Sequence, residues 1–281
     1  MAKSWRTWIG AVVLVAGMSW SGAANAQSLS ISPSRVVLEG RDRSAELTLY
    51  NQSDETLTYR IVFRRLEMTP QGQFRELDAQ APGKFVDAFV RYSPRQVSLG
   101  PGESQKVRLM VRAPANLGDG EYRSHLTFQA LPTPGETEHP TSSNSIDVSL
   151  KMRTSVSLPV IYRRGELSAQ FEVEELQLEQ QEGRATATMR LHRDGQRSLY
   201  GDYELLYVPR PGLPAEMVGA VRGVAFYAPG QERELQFPLS QELAALSGGQ
   251  WQVRHIERHG DQRTPGQIVN VDHVTQDQSE R

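Results

Sequence analysis

Short runs in which apolar and polar residues strictly alternate recur along almost the whole chain, and they restrict it to one class of fold. Leu47 and Leu49 alternate with polar neighbours, then Leu57, Tyr59, Ile61 and Phe63 repeat the pattern. Val107, Leu109 and Val111 do so again, as do Tyr122, Leu126 and Phe128. A period of two buries one face of each segment and leaves the other wet. Asn51–Glu55, Thr69–Gln73, Gly100-Pro101-Gly102 and Ala115–Gly120 supply turn residues between the runs. Many short strands at this spacing predict an antiparallel β-sandwich.

The polar stretch 132–145 interrupts the pattern; it is long for a hairpin connection and reads as a loop. Extended character resumes over 145–162 and closes at Arg163-Arg164-Gly165, which reads as a hinge. A second set of strands follows, with Ala185, Ala187, Met189 and Leu191, then Tyr203, Leu205 and Tyr207, then Leu235, Phe237 and Leu239. Gln250–Glu257 and Gln267–Val274 read as a closing hairpin, and Ser240–Leu246 is the one short helical candidate. The expectation is an all-β chain of two tandem sandwich domains. They occupy 27–162, including the strand 145–162, and 163–275, with 276–281 a polar tail.

Composition narrows the chemistry. Cysteine is absent from the 281 residues, which excludes disulfides, thiolate metal sites and a cysteine nucleophile. Net charge is −2, so the basic footprint of a nucleic-acid binder is missing. Lys3 and Arg6 precede an apolar run from Trp8 to Trp20 that ends in Ala24-Asn25-Ala26. Positive start, short hydrophobic stretch and small residues before a cleavage point predict a signal peptide over 1–26. Gly10, Gly17, Ser19 and Ser21 interrupt that run, which is shorter than the roughly 20 apolar residues of a membrane span. The mature chain is expected to be exported, with no membrane insertion after cleavage.

No catalytic constellation stands out. His255 and His259 are four apart, but Ile256 occupies the place where a zinc protease has glutamate, and the segment reads as strand and turn. Two solvated histidines, no metal and no cofactor are the expectation. There is no Gly-x-Ser-x-Gly elbow, P-loop or dinucleotide fingerprint. Asn51-Gln52-Ser53 has the form of a glycosylation acceptor, though it falls at a strand end. Enzymatic activity is not expected.

The informative stretch is 145–162. Ile146, Val148, Leu150 and Met152 alternate with Asp147, Ser149, Lys151 and Arg153, and Val156 and Leu158 keep the same parity. At roughly 3.3 Å per residue this is an apolar row about 40 Å long, longer than an ordinary strand. Part of it belongs to a core. A long exposed apolar row is otherwise an aggregation hazard, which raises the question of a partner.

With these residues in view the chain resembles the PapD-like periplasmic chaperones of the chaperone–usher pathway, over roughly residues 28–275. The resemblance is carried by Ser34-Arg35-Val36-Val37-Leu38-Glu39-Gly40, Leu47-Thr48-Leu49-Tyr50-Asn51, the stretch Ser98–Leu109 with its Gly100-Pro101-Gly102-Glu103 turn, and Val160-Ile161-Tyr162-Arg163. It implies two immunoglobulin-like domains in a boomerang, a periplasmic location, and pilus or fibre subunits and an outer-membrane usher as partners. It further implies that Ile146, Val148, Leu150 and Met152 form a donor strand that fills the groove of an incomplete subunit. Arg35 matches the first of two basic residues that hold the subunit's terminal carboxylate, and Arg163 matches an arginine that helps hold the domains together. The second basic position falls on Pro159, a departure that leaves Arg91, Arg95 or Arg153 as substitutes. The alternative is a secreted sandwich protein that is itself a component of the fibre.

Overall fold

The computed structural model describes residues 29–132, 154–181, 184–260 and 262–277. The expected leader (1–26), most of the polar loop, the row Ile146, Val148, Leu150 and Met152, and Arg153 lie outside the described residues.

The first unit contains β1 (Leu29–Ser32), β2 (Val36–Leu38), β3 (Ser44–Asn51), β4 (Leu57–Arg64), β5 (Leu66–Met68) and β6 (Phe74–Glu76). It continues with β7 (Val90–Ser93), β8 (Gln96–Leu99), β9 (Ser104–Val111), β10 (Gly120–Ala130) and β11 (Val156–Arg164). Two sheets form, in the orders β1-β3-β9-β7 and β2-β11-β10-β4-β8, while β5 and β6 make a separate hairpin. Period-two burial is visible in β3, where Leu47 and Leu49 are fully buried and Thr48 and Tyr50 are exposed. Leu126, Phe128, Leu158 and Val160 meet these residues in one core, with Phe89 packed edge-on against Tyr122 and Tyr162 at 5.4 Å. Each such side chain contributes roughly 1.5–3 kcal/mol of burial before ordering costs. That burial holds a chain without disulfides.

The second unit contains β12 (Ala169–Gln181), β13 (Arg184–Gly195), β14 (Leu199–Val208), β15 (Glu216–Phe226), β16 (Glu232–Pro238), β17 (Gln250–His259), β18 (Gln262–Val271) and β19 (Val274–Asp277). Its sheets run β16-β13-β12-β19 and β15-β14-β17-β18 around a separate core that includes Phe171, Met189, Tyr203, Leu205 and Trp251. All-β architecture in two sandwiches is therefore what the chain adopts. Ser240–Leu246 contributes only a single 3-10 turn, Leu243–Leu246.

Two readings need correction. The run that was expected to close at Tyr162 continues as strand to Arg164, because Arg163 and Arg164 still pair with Glu121 and Gly120 of β10. Gly165 follows with φ +78°, and a Cβ there would collide with the Asp119 carboxylate, so the departure from β11 requires glycine. At the other end, Gln276 and Asp277 of the expected polar tail are strand: they run parallel to Leu178 and Glu179 of β12. Asn51, as its place at a strand end suggested, is no glycan acceptor in this fold. It is fully buried, its amide donates to the carbonyls of Glu55, Leu99 and Gly100, and its Oδ1 accepts from the Ser53 backbone N–H. The asparagine pins two neighbouring turns together.

Candidate functional site

Arg35 stands immediately before β2, and β2 runs parallel to β11 with Val36 beside Val160 and Leu38 beside Tyr162. On the other side of β11 lies β10, whose two faces do different work. Tyr122, Leu126 and Phe128 point into the first core. Glu121, Arg123 and His125 have the opposite parity and are covered by the second domain.

A cleft of about 320 Å³ opens between the domains, lined by Arg35, Met68, Phe74, Pro159, Tyr200 and Tyr227 among others. The Arg35 guanidinium lies 4.0 Å above the ring of Tyr200 and donates to Tyr227 Oη at 2.9 Å. Arg123 sits 4.1 Å from the centre of the same Tyr227 ring. Burial pushes both guanidinium pKa values down from the ordinary arginine range, partly offset by the neighbouring tyrosines and Glu121. Among the described residues neither forms an ion pair, and Arg123 Nε and Nη1 are buried with no hydrogen-bond partner. Arg35 lines this cleft and Arg123 lies over the same Tyr227 ring, both without an ion pair among the described residues; a guanidinium so placed can bind a planar carboxylate through two parallel hydrogen bonds.

The position where a second cation was expected is occupied by Pro159, which pairs with His125 across the sheet. β2 begins to pair with β11 only at Val160, so at Pro159 the strand has a neighbour on one side alone. A residue without an N–H is tolerated there. Neither proposed substitute within the described residues reaches the cleft. Arg91 is spent on the carbonyls of Asp87, Ala88 and Val90, and Arg95 donates to Tyr92 Oη and lies over that ring. The cation that the fold brings beside Arg35 is Arg123. Sequence reasoning missed it, although its parity, opposite to Tyr122 and Leu126, marked it as facing away from the first core.

His125 completes the site. Its ring is 2% exposed overall, and neither nitrogen has a hydrogen-bond partner. Burial, reinforced by Arg123 and then Arg35, pushes its pKa down to about 3. The unfolded chain takes up a proton here near 6.5, the folded chain only near 3. Between those values the unfolded state binds more protons, so stability falls as pH is lowered through that window. His125→Phe is therefore expected to flatten the profile of urea midpoint against pH between about 6.5 and 3. An unchanged slope would show that the imidazole is not held neutral.

Arg163 is also far from a solvated linker charge. Its Nε donates to Glu121 Oε2 at 3.0 Å, its Nη1 to Glu39 Oε2 at 3.2 Å and its Nη2 to the Ser198 carbonyl at 3.4 Å. Glu121, with a side chain 1% exposed, also accepts from the backbone N–H and hydroxyl of Ser198. One buried ion pair thus ties β10 and β11 to the segment entering β14.

His255 corrects the expectation of two solvated histidines. It shares the inward parity of Trp251 and Val253 on β17, is buried, and packs 4.7 Å from Tyr203. His259, at the strand end, stays exposed beside Glu257. Among the described residues no group of three or more His, Asp or Glu is arranged to hold a metal ion. Among them, too, no helix is long and apolar enough to cross a membrane.

Comparison with known proteins decides what this arrangement belongs to. Residues 28–167, about half of the chain, match the model of the pili and flagellar-assembly chaperone, PapD N-terminal domain. The chain belongs to the PapD-like family of pilus-assembly chaperones. In this chaperone the matched stretch runs through Arg35, both sheets of the first sandwich, Arg123 and Arg163. Similar solved structures include the YadV chaperone, 12% identical, covering 87% of this chain and 100% of that one at a TM-score of 0.48. They also include the CsuC–CsuE chaperone–tip adhesion subunit pre-assembly complex of Acinetobacter baumannii, 15% identical over 89% and 99%, TM-score 0.43. The Salmonella enterica SafA pilin in complex with the SafB chaperone is 13% identical over 89% and 98%, TM-score 0.42. No curated protein sequence matches the chain at a significant level.

Proposed function

We propose that this chaperone acts in the periplasm, holds pilus or surface-fibre subunits by donor-strand complementation, and passes them to an outer-membrane usher. Family membership supplies the chaperone role. The observation that carries the finer reading is the interdomain cleft, where Arg35 and Arg123 share Tyr227 and neither has a carboxylate partner among the described residues. The terminal carboxylate of a subunit supplies the missing anion. From there the subunit's last strand runs along β11 toward the row Ile146, Val148, Leu150 and Met152. Each of those side chains enters a pocket of the subunit, and main-chain hydrogen bonds satisfy two open edges at once. Arg163 keeps the cleft in shape by fixing the domain junction. No nucleotide is consumed, because reciprocal burial supplies the driving force.

Purification of the tagged chaperone from periplasm tests this directly. A small β-rich subunit is expected in near-equal amount by mass spectrometry of the intact complex. A chaperone recovered reproducibly alone, from cells that are assembling surface fibres, contradicts the reading.

A further inference from the structure

One segment of the first domain does not stay with its own sandwich. The hairpin β5–β6 leaves β4 at Arg65 and lies across the interdomain cleft. Its base is fixed by Arg65, which donates from Nε and Nη2 to the Asp87 carboxylate, and by the Leu77 N–H to the Arg65 carbonyl. Its tip is fixed by the second domain. The Pro70 carbonyl accepts from the Glu234 backbone N–H at 2.8 Å and from Arg233 Nη1 at 2.6 Å, both on β16. Gly72, at φ +84°, lies so close to the Arg233 guanidinium that a Cβ would collide with it.

Held at both ends, the hairpin presents one wall of the Arg35 cleft. Phe74 meets the His125 ring edge-on at 4.9 Å and lies 6.2 Å from Tyr227, yet remains 48% exposed. Met68 continues the wall, Tyr200 and Tyr227 stand opposite, and Pro159 makes the floor apolar at the position where a charge was expected. A cleft of about 320 Å³ is at the small end of ligand sites. It has room for the end of a chain but not for a whole strand. Its lining holds Arg35 and Arg233 among mostly aromatic and apolar groups, and Arg233 Nη1 already donates to the Pro70 and Glu234 carbonyls, so the cleft asks for a carboxylate attached to a bulky apolar group.

We propose that the Phe74–Met68 wall selects the C-terminal residue of the bound subunit, favouring a bulky apolar side chain over glycine or an acidic one. The selection rests on the carboxylate reading given above. Arg35 takes the main-chain carboxylate, and the side chain on the same carbon enters between Phe74 and the two tyrosines. Arg233 is occupied by Pro70 and holds the wall in place.

The probes are short labelled peptides of alternating Val and Thr that end in Leu, Phe, Gly or Asp with a free carboxylate. A Leu-ended peptide blocked as the amide completes the set. Binding is read by fluorescence anisotropy on the full chain. Leu- and Phe-ended peptides are expected to bind about tenfold tighter than the Gly-ended one, the scale of one buried apolar side chain. Phe74→Ser alters a half-exposed residue and should leave folding intact by circular dichroism. In that variant the preference is expected to fall to about twofold or less, while the free carboxylate still binds better than the amide. A wild type that does not discriminate, or a Phe74→Ser variant that keeps its preference, overturns the wall as selector and leaves the Arg35 reading standing. Equal binding of acid and amide overturns the Arg35 reading itself, and the selection with it.

Discussion

Arg163→Ala is expected to lower the unfolding free energy by about 3–5 kcal/mol, the scale of breaking one partner out of a buried ion pair. The size follows from what remains. Glu121 has a side chain 1% exposed and would be left with Ser198 as its hydrogen-bond partner among the described residues. Arg163→Lys is a milder change on charge alone, but an ammonium cannot reach Glu121, Glu39 and the Ser198 carbonyl in the directions the fork does. It is expected to recover less than half of the loss. The Glu121→Gln/Arg163→Ala double variant should lose less than the sum of the two singles, as residues in one network do. Urea unfolding of the wild type and the four variants reads all of this. A loss below about 1 kcal/mol for Arg163→Ala would place the junction's stability elsewhere.

The second large effect is on the complex rather than on the free protein. Arg35→Ala is expected to weaken subunit binding by about 2–5 kcal/mol, the range for truncating one side of a buried, hydrogen-bonded charge pair. The free chaperone loses the stacking of Arg35 on Tyr200 and Tyr227, an effect of about 0.5–2 kcal/mol. The ratio of the two losses separates anchoring from packing. Arg123→Ala in the same assay should also weaken the complex, since its guanidinium shares the Tyr227 ring. Binding at the wild-type level after Arg35→Ala, in a folded protein, would reduce Arg35 to a stacking residue.

Much of the fold was legible because alternation reports burial directly. Leu47 and Leu49, Ala187 and Met189, and Trp251 and Val253 are buried as the pattern required. What alternation cannot report is whether the other face of a strand meets water or a second domain. Arg123 and His125 carried ordinary solvent-side parity on β10, and only the docking of the second sandwich turns that face into a cleft. His255 failed for the opposite reason. A titratable side chain at an inward parity was read as solvated because of its chemistry, when the parity of Trp251 and Val253 was the better guide. Thr69–Gln73 was correctly a turn, but its sequence contains nothing that says Pro70 will accept hydrogen bonds from β16. Pro159 was visible as a departure only against the family pattern, and only the fold shows that Arg123 lies over the same Tyr227 ring as Arg35. The row Ile146–Met152 rests on parity and resemblance, and its test is functional.

That test compares Leu150→Asp with Lys151→Asp in periplasmic extracts. The two positions are adjacent in sequence and have opposite parity, so they project to opposite faces of an extended strand. An aspartate at 150 would carry an uncompensated charge into a subunit pocket, which burial penalises heavily. At 151 the same charge remains in water. With circular dichroism showing both chaperones folded, the account predicts that subunit co-purifying with Leu150→Asp falls to near background, while Lys151→Asp retains most of the wild-type amount. Equal recovery from the two variants would contradict donor-strand complementation by this stretch, since a strand that fills a groove must be sensitive to which of its faces is charged.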